Sequence, residues 1–273
     1  MFITGSVRKK AITRGLIILL AAAVTLALYI LGRGRGDWTY DALIYVSVFC
    51  FAAAVVYPML VVYHEGKWRL TSLGNRAVMD ALLPDVFLSE YEKAKNAPDN
   101  VSSKPSFSLL LFKLVAHELK GDGEGTAATL DEMERLYPKG GKNAITKATR
   151  AEDEYEKGSF ETGERLLAEA ERSAKGLRAK ATVRNVRSSA RAIAAGDFVT
   201  AESYYIRLTS ATGIARHPNA AVLIGYFRLA EICRRTDRPK DAKRYLEICR
   251  DSGKDTVFAQ KARKMINERN YKA

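Results

Sequence analysis

Gly158-Ser159-Phe160-Glu161-Thr162-Gly163 recurs as Gly196-Asp197-Phe198-Val199-Thr200-Ala201. A weaker copy is Asp237-Arg238-Pro239-Lys240-Asp241-Ala242, and a weaker one still is Gly121-Asp122-Gly123-Glu124-Gly125-Thr126. Successive copies begin 37, 38 and 41 residues apart. Each is preceded and followed by apolar residues at helical spacing, and no alternating strand pattern bounded by a tight Gly turn occurs nearby. The physical reading is two antiparallel helices joined by a tight turn. Gly or Asp opens the turn because that position favours left-handed backbone. The aromatic two residues on packs back over the first helix, and the small residue five on lets the helices approach closely. The spacing predicts an all-α domain.

The same residues resemble the tetratricopeptide repeat, a helix–turn–helix unit with a period of about 34 residues. In the last unit Tyr226, Leu229, Ala230 and Cys233 resemble first-helix positions, and Ala242, Leu246 and Cys249 second-helix ones. Phe160, Gly163, Leu167 and Ala170, then Phe198, Ala201, Tyr205 and Leu208, match the second helices of two earlier units. The first unit keeps Leu110, Leu114, Leu130, Met133 and Pro138. The resemblance covers about residues 107–266. First-helix positions depart from the pattern at Lys147, Arg150, Glu154, Asn185 and Ser188, and the wider spacing calls for longer loops between units. The resemblance implies a solenoid of three to four helix pairs over 107–273. Phe258, Ala262, Met265 and Ile266 form a C-terminal capping helix.

Upstream the composition changes. The chain of 273 residues has a net charge of +13, yet residues 1–64 hold only six Lys/Arg and two Asp/Glu, all outside two apolar runs. These runs predict a transmembrane hairpin in 1–64, with spans at about 12–31 and 42–63. The long first run and the lack of a small-x-small site after it argue against a cleaved signal peptide. Arg8, Lys9, Lys10 and Arg14 precede the first apolar run, Leu16–Leu31, which reaches back to residue 12 as Arg14 snorkels to the headgroups; the intervening loop carries Arg33 and Arg35, and Lys67, Arg69 and Arg76 follow the second. The positive-inside rule then places both termini in the cytoplasm, and the compact hairpin suggests a bacterial plasma membrane. Residues 65–106 read as juxtamembrane helices broken at Pro84, followed by a linker at 96–106.

Catalytic and metal patterns are not found. His64, His117 and His217 are scattered, and neither His-Glu-x-x-His nor Cys-x-x-Cys occurs. Gly140-Gly141-Lys142 and Gly253-Lys254 lack the rest of a P-loop. Cys233 and Cys249 read as buried thiols, with a redox pair as the alternative. The acidic run Glu152, Asp153, Glu154 and Glu156 reads as a solvated face. No cofactor, metal or enzymatic reaction is expected.

The remaining signal is basic. Residues 172–191 contain seven Lys/Arg and no acid. Lys180, Arg184, Arg187 and Arg191 follow i, i+4, i+7, i+11, one stripe on a helix beside the apolar face Val183, Val186, Ala190 and Ile193. First helices line the groove in repeat proteins, so this stripe is the candidate binding site, suited to carboxylates of an acidic protein segment. Nucleic acid is disfavoured because no stacking aromatics interleave with it. The expected function is a membrane-tethered, non-enzymatic scaffold with a protein partner on the cytoplasmic side. The alternative is a membrane-organising protein whose basic domain meets anionic lipid headgroups.

Overall fold

The computed structural model describes residues 5–32, 38–97, 104–210 and 219–268. These residues form thirteen α-helices and two short π-helical stretches, with no strand among them. The chain divides into two compact units, residues 1–72 with 89–106, and residues 73–88 with 107–273.

In the first unit α1 (Gly5–Gly32) and α2 (Trp38–Leu73) run antiparallel. The Thr25 and Ser47 hydroxyls meet at 2.7 Å, and Arg14 donates to the Tyr57 hydroxyl at 3.1 Å. Ala11, Ala22, Ser47 and Ala54 are buried, so small side chains allow a close approach of the two backbones. Leu16, Ile17, Leu20, Leu31, Phe49 and Val55 lie exposed. Within α1 the 21 residues Ala11–Leu31 are long and apolar enough to cross a membrane. In α2 the apolar stretch Leu43–Tyr57 is shorter than a span. The expected second span at 42–63 continues into residues whose side chains lie outside the description, and loop residues 33–37 lie outside it altogether. The helix runs without a break through Pro58 to Leu73, so no boundary sets off a separate juxtamembrane helix at 65. α3 (Pro84–Lys95) starts at Pro84, where the fixed proline φ suits a first helical turn. Of the expected linker, residues 98–103 are outside the described residues.

In the second unit each quoted motif falls on a turn between paired helices. The pairs are α4 (Phe107–Lys120) with α5 (Gly123–Leu136), and α6 (Gly140–Glu156) with α7 (Phe160–Ser173). Next, α8 (Leu177–Val186) continues through a π-helical turn, Arg187–Arg191, into α9 (Ala192–Ala194), which pairs with α10 (Phe198–Ser210). α11 (Ala220–Arg235) pairs with α12 (Pro239–Ser252), and α13 (Val257–Asn267) follows. Gly121, Gly158, Gly196 and Asp237 have φ of 70°, 81°, 77° and 54°, left-handed in all four copies. That backbone costs an ordinary L-residue about 1 kcal/mol, which explains the glycines. The small residue five positions on is equally constrained. A Cβ built on Gly163 would stand 2.6 Å from the Tyr155 ring, and Ala201 and Ala242 are fully buried. Phe160 lies against Tyr155 with ring centroids 5.7 Å apart.

Neighbouring pairs share cores. Phe107, Leu110, Leu130, Met133 and Ile145 cluster with Ala179 across the first three pairs. The polar first-helix departures make ion pairs between helices: Lys147 with Glu169 on α7, and Arg150 with Asp131 and Glu134 on α5. The row of pairs also closes back on its start. α13 packs on α4, and the π-helical stretch Gly74–Asp80 touches both α4 and α11. Gly121 has no side chain, and Val257 fills that space; a Cβ there would meet it at 2.8 Å. Lys254 Nζ donates to the Ala81 carbonyl at 2.5 Å. α13 and the Gly74–Asp80 stretch therefore bridge the two ends of the row.

Gly163→Ala should drive a methyl into the Tyr155 ring and lower the stability of the helical domain by about 1–3 kcal/mol. Thermal unfolding followed by circular dichroism checks this; an unchanged midpoint would remove the close-approach role of the position.

Candidate binding surfaces

The expected stripe is split by its environment. α8 begins after Gly176, whose φ of 86° turns the chain out of α7. Ala179, Val183 and Val186 bury the inner face, which leaves Lys180 and Arg184 exposed on the outer one. No carboxylate pairs with either among the described residues. Arg187 and Arg191 are instead committed to α7. Arg187 bonds Glu171, and Arg191 Nε lies 2.5 Å from Glu164, which also accepts from the Tyr155 hydroxyl at 2.8 Å. Burial works against the Glu164 charge, but its Arg191 and Tyr155 hydrogen bonds outweigh that and hold its pKa below the usual carboxylate value. These four residues, with Leu167 and Ala168, line an open depression of about 280 Å³. The surface is an ion-pair ladder, and an incoming carboxylate would have to compete with Glu164 and Glu171 for its guanidinium groups. Spacing alone could not show this, because the partners sit 16 and 27 residues upstream in sequence. The available signal was the i, i+7 placement of Glu164 and Glu171 on the preceding helix.

A second, acidic recess lies elsewhere. Glu118 on α4 and Glu152, Asp153 and Glu156 on α6 line it with Leu114, Thr126, Leu130 and Thr149. Its volume is about 70 Å³, room for a few waters. Arg228 from α11 bonds Glu156, one of the lining residues, and Glu231 on its own helix. Burial opposes the Arg228 charge, but the Glu156 and Glu231 carboxylates prevail and raise its pKa. Glu118 and Glu152 keep a little contact with solvent, while protein encloses them on most sides. Burial, and then the neighbouring Glu156 charge, push the Glu118 pKa up to about 7 and that of Glu152 to about 8. Glu152 is therefore not on a solvated face, as its polar neighbours suggest. Its i, i+4 spacing with Glu156 was the readable signal that both share one face. Glu118 and Arg228 gave no such signal.

Among the described residues no group of three or more His, Cys, Asp or Glu side chains is placed to hold a metal ion. None of the cations in the stripe lines the recess. Cys233 and Cys249 are free and buried, and burial pushes the Cys249 thiol up to about 12. The neutral thiol there is a poor nucleophile and redox partner at neutral pH. Comparisons with protein-family models, curated proteins and solved structures give no match.

The recess makes stability depend on pH. A carboxyl whose pKa is raised in the folded state favours folding while protonated. Its contribution is complete below the ordinary value of 4.5 and is lost as pH rises through about 7 for Glu118 and about 8 for Glu152. Lowered carboxylates such as Glu164 and Glu169 act in the opposite sense, but only below that window. The thermal midpoint should fall as pH rises from about 5 to about 8, and Glu152→Gln should flatten the fall. A Glu152→Gln profile parallel to that of the parent would contradict the assignment.

Proposed function

We propose that this chain is a membrane-tethered, non-enzymatic adaptor. An N-terminal hairpin crosses a plasma membrane, and a tetratricopeptide-like stack of helix pairs in the cytoplasm holds a segment of a protein partner. The observation that carries the reading is the repeated pairing: four turns, each with a left-handed residue at the same position, join helices that pack pair against pair. Such stacks present long helix faces suited to extended or helical peptides. Ala11–Leu31 supports the tether, as does the apolar outer surface of α1 and α2. Tethering raises the local concentration of a partner at the bilayer without requiring tight binding.

Charge narrows the contact. Lys180 and Arg184 are the stripe cations free to meet acidic side chains, while Arg187 and Arg191 already have carboxylate partners. An acidic segment lying along α8 would therefore engage the first two and border the other pair.

Cross-linking and pull-down of the full-length chain from native membranes tests this. Lys180→Glu with Arg184→Glu should remove the captured partner while the helical circular dichroism signal stays unchanged. Equal recovery with the charge-reversed chain would place the partner elsewhere.

A further inference from the structure

The turn between α7 and α8 carries an apolar side chain that the fold leaves outside. Ala174 packs against two core clusters on one side of the turn, and Ala179 is buried on the other. Between them Leu177 is 90% exposed, the highest value for a large apolar side chain among the described residues. The turn is held firmly. A Cβ on Gly141, at the start of α6, would lie 2.6 Å from the Lys175 carbonyl, so the turn backbone seats directly on that helix end. Leu177 is thus presented by a rigid corner and cannot fold back into the core without displacing Ala174 or Ala179.

Cations surround it. Lys175 and Arg178 flank Leu177 in the chain and are exposed, and Arg172 is exposed at the end of α7. Among the described residues none of the three has a carboxylate partner. Arg172 bonds only a backbone carbonyl, that of Ala168. Soluble surfaces tolerate a lone exposed leucine, and they tolerate basic clusters. One aliphatic side chain at the apex of a firm turn, ringed by free cations, matches the two layers of a lipid interface: phosphate at the level of the cations and acyl chain beyond. Each Lys or Arg near an anionic surface adds electrostatic attraction, and a leucine buried beyond the headgroups adds apolar area removed from water.

From this juxtaposition we infer that the α7–α8 corner is a docking point for an anionic bilayer surface. Leu177 enters the headgroup–acyl boundary, and Arg172, Lys175 and Arg178 contact lipid phosphates. The inference rests on the membrane-tether reading, because one leucine and three cations hold a protein at a bilayer only when something else keeps it there.

The test reconstitutes the full-length chain into vesicles of phosphatidylcholine, with or without phosphatidylserine, containing lipids brominated on their acyl chains. Leu177→Trp reports contact with those chains, and the parent chain supplies the background from Trp38 and Trp68. In phosphatidylserine vesicles Leu177→Trp should be quenched beyond the parent. The excess should shrink at high salt and vanish when Lys175→Glu and Arg178→Glu are added. Flotation of the same samples reads the tether separately. A chain that floats with neither vesicle overturns the tether reading. Flotation without excess quenching, or equal excess in both lipid mixtures, overturns the charge-dependent corner alone. Loss of a cross-linked protein partner on the same two charge reversals, again without excess quenching, gives the corner to that partner and overturns the lipid contact.

Discussion

A left-handed residue at the start of each turn, and a small residue five positions later, constrain the helical domain throughout. The first reverses the chain within two or three residues, and the second lets the reversed helix lie flush on the one before it. The first is met four times, by Gly121, Gly158, Gly196 and Asp237, and the second three times, by Gly163, Ala201 and Ala242; the first copy carries the larger, partly exposed Thr126 there. Burial of Leu167, Tyr205 and Leu246 on second helices, and of Val183 and Leu229 on first ones, follows from that close approach. At about 25 cal/mol per Å² of apolar surface removed from water, this packing supplies the main drive for folding.

Polar contacts then decide how pairs sit on one another. Where the repeat pattern lacks apolar first-helix residues, Lys147 and Arg150 reach acids on α7 and α5. Partly exposed pairs of this kind are worth at most about 1 kcal/mol each, so they act more as register marks than as stabilisers. The Glu156–Arg228 pair differs because it spans 72 residues and borders a recess in which two further carboxyls are held close to neutrality. It ties the second helix pair to the fourth.

Local features of the fold were legible in the sequence, and non-local ones were not. Turn positions and helix pairing followed from the spacing of Gly158-Ser159-Phe160 and its copies, because both depend on residues within about forty positions of each other. The packing of α13 on α4, and of Gly74–Asp80 on α4 and α11, joins segments far apart in the chain, and no short-range pattern encodes it. The stripe shows the same limit. Helical arithmetic put Lys180, Arg184, Arg187 and Arg191 on one line, but it could not see Glu164 and Glu171 opposite. The π-helical turn at Arg187–Arg191 also departs from 3.6 residues per turn, so that arithmetic does not carry through to its end. The first apolar run was readable as a potential span from length and composition alone, since a single helix sets both.

The closed arrangement is most directly tested by a double-mutant cycle across Glu156 and Arg228. Stabilities of the parent, Glu156→Ala, Arg228→Ala and the double variant would be measured by denaturant unfolding of the full chain in detergent. Contact between the second and fourth helix pairs predicts a coupling energy of about 1 kcal/mol or more. Additive effects with no coupling would mean that these helices do not meet, and that the pairs form an open row.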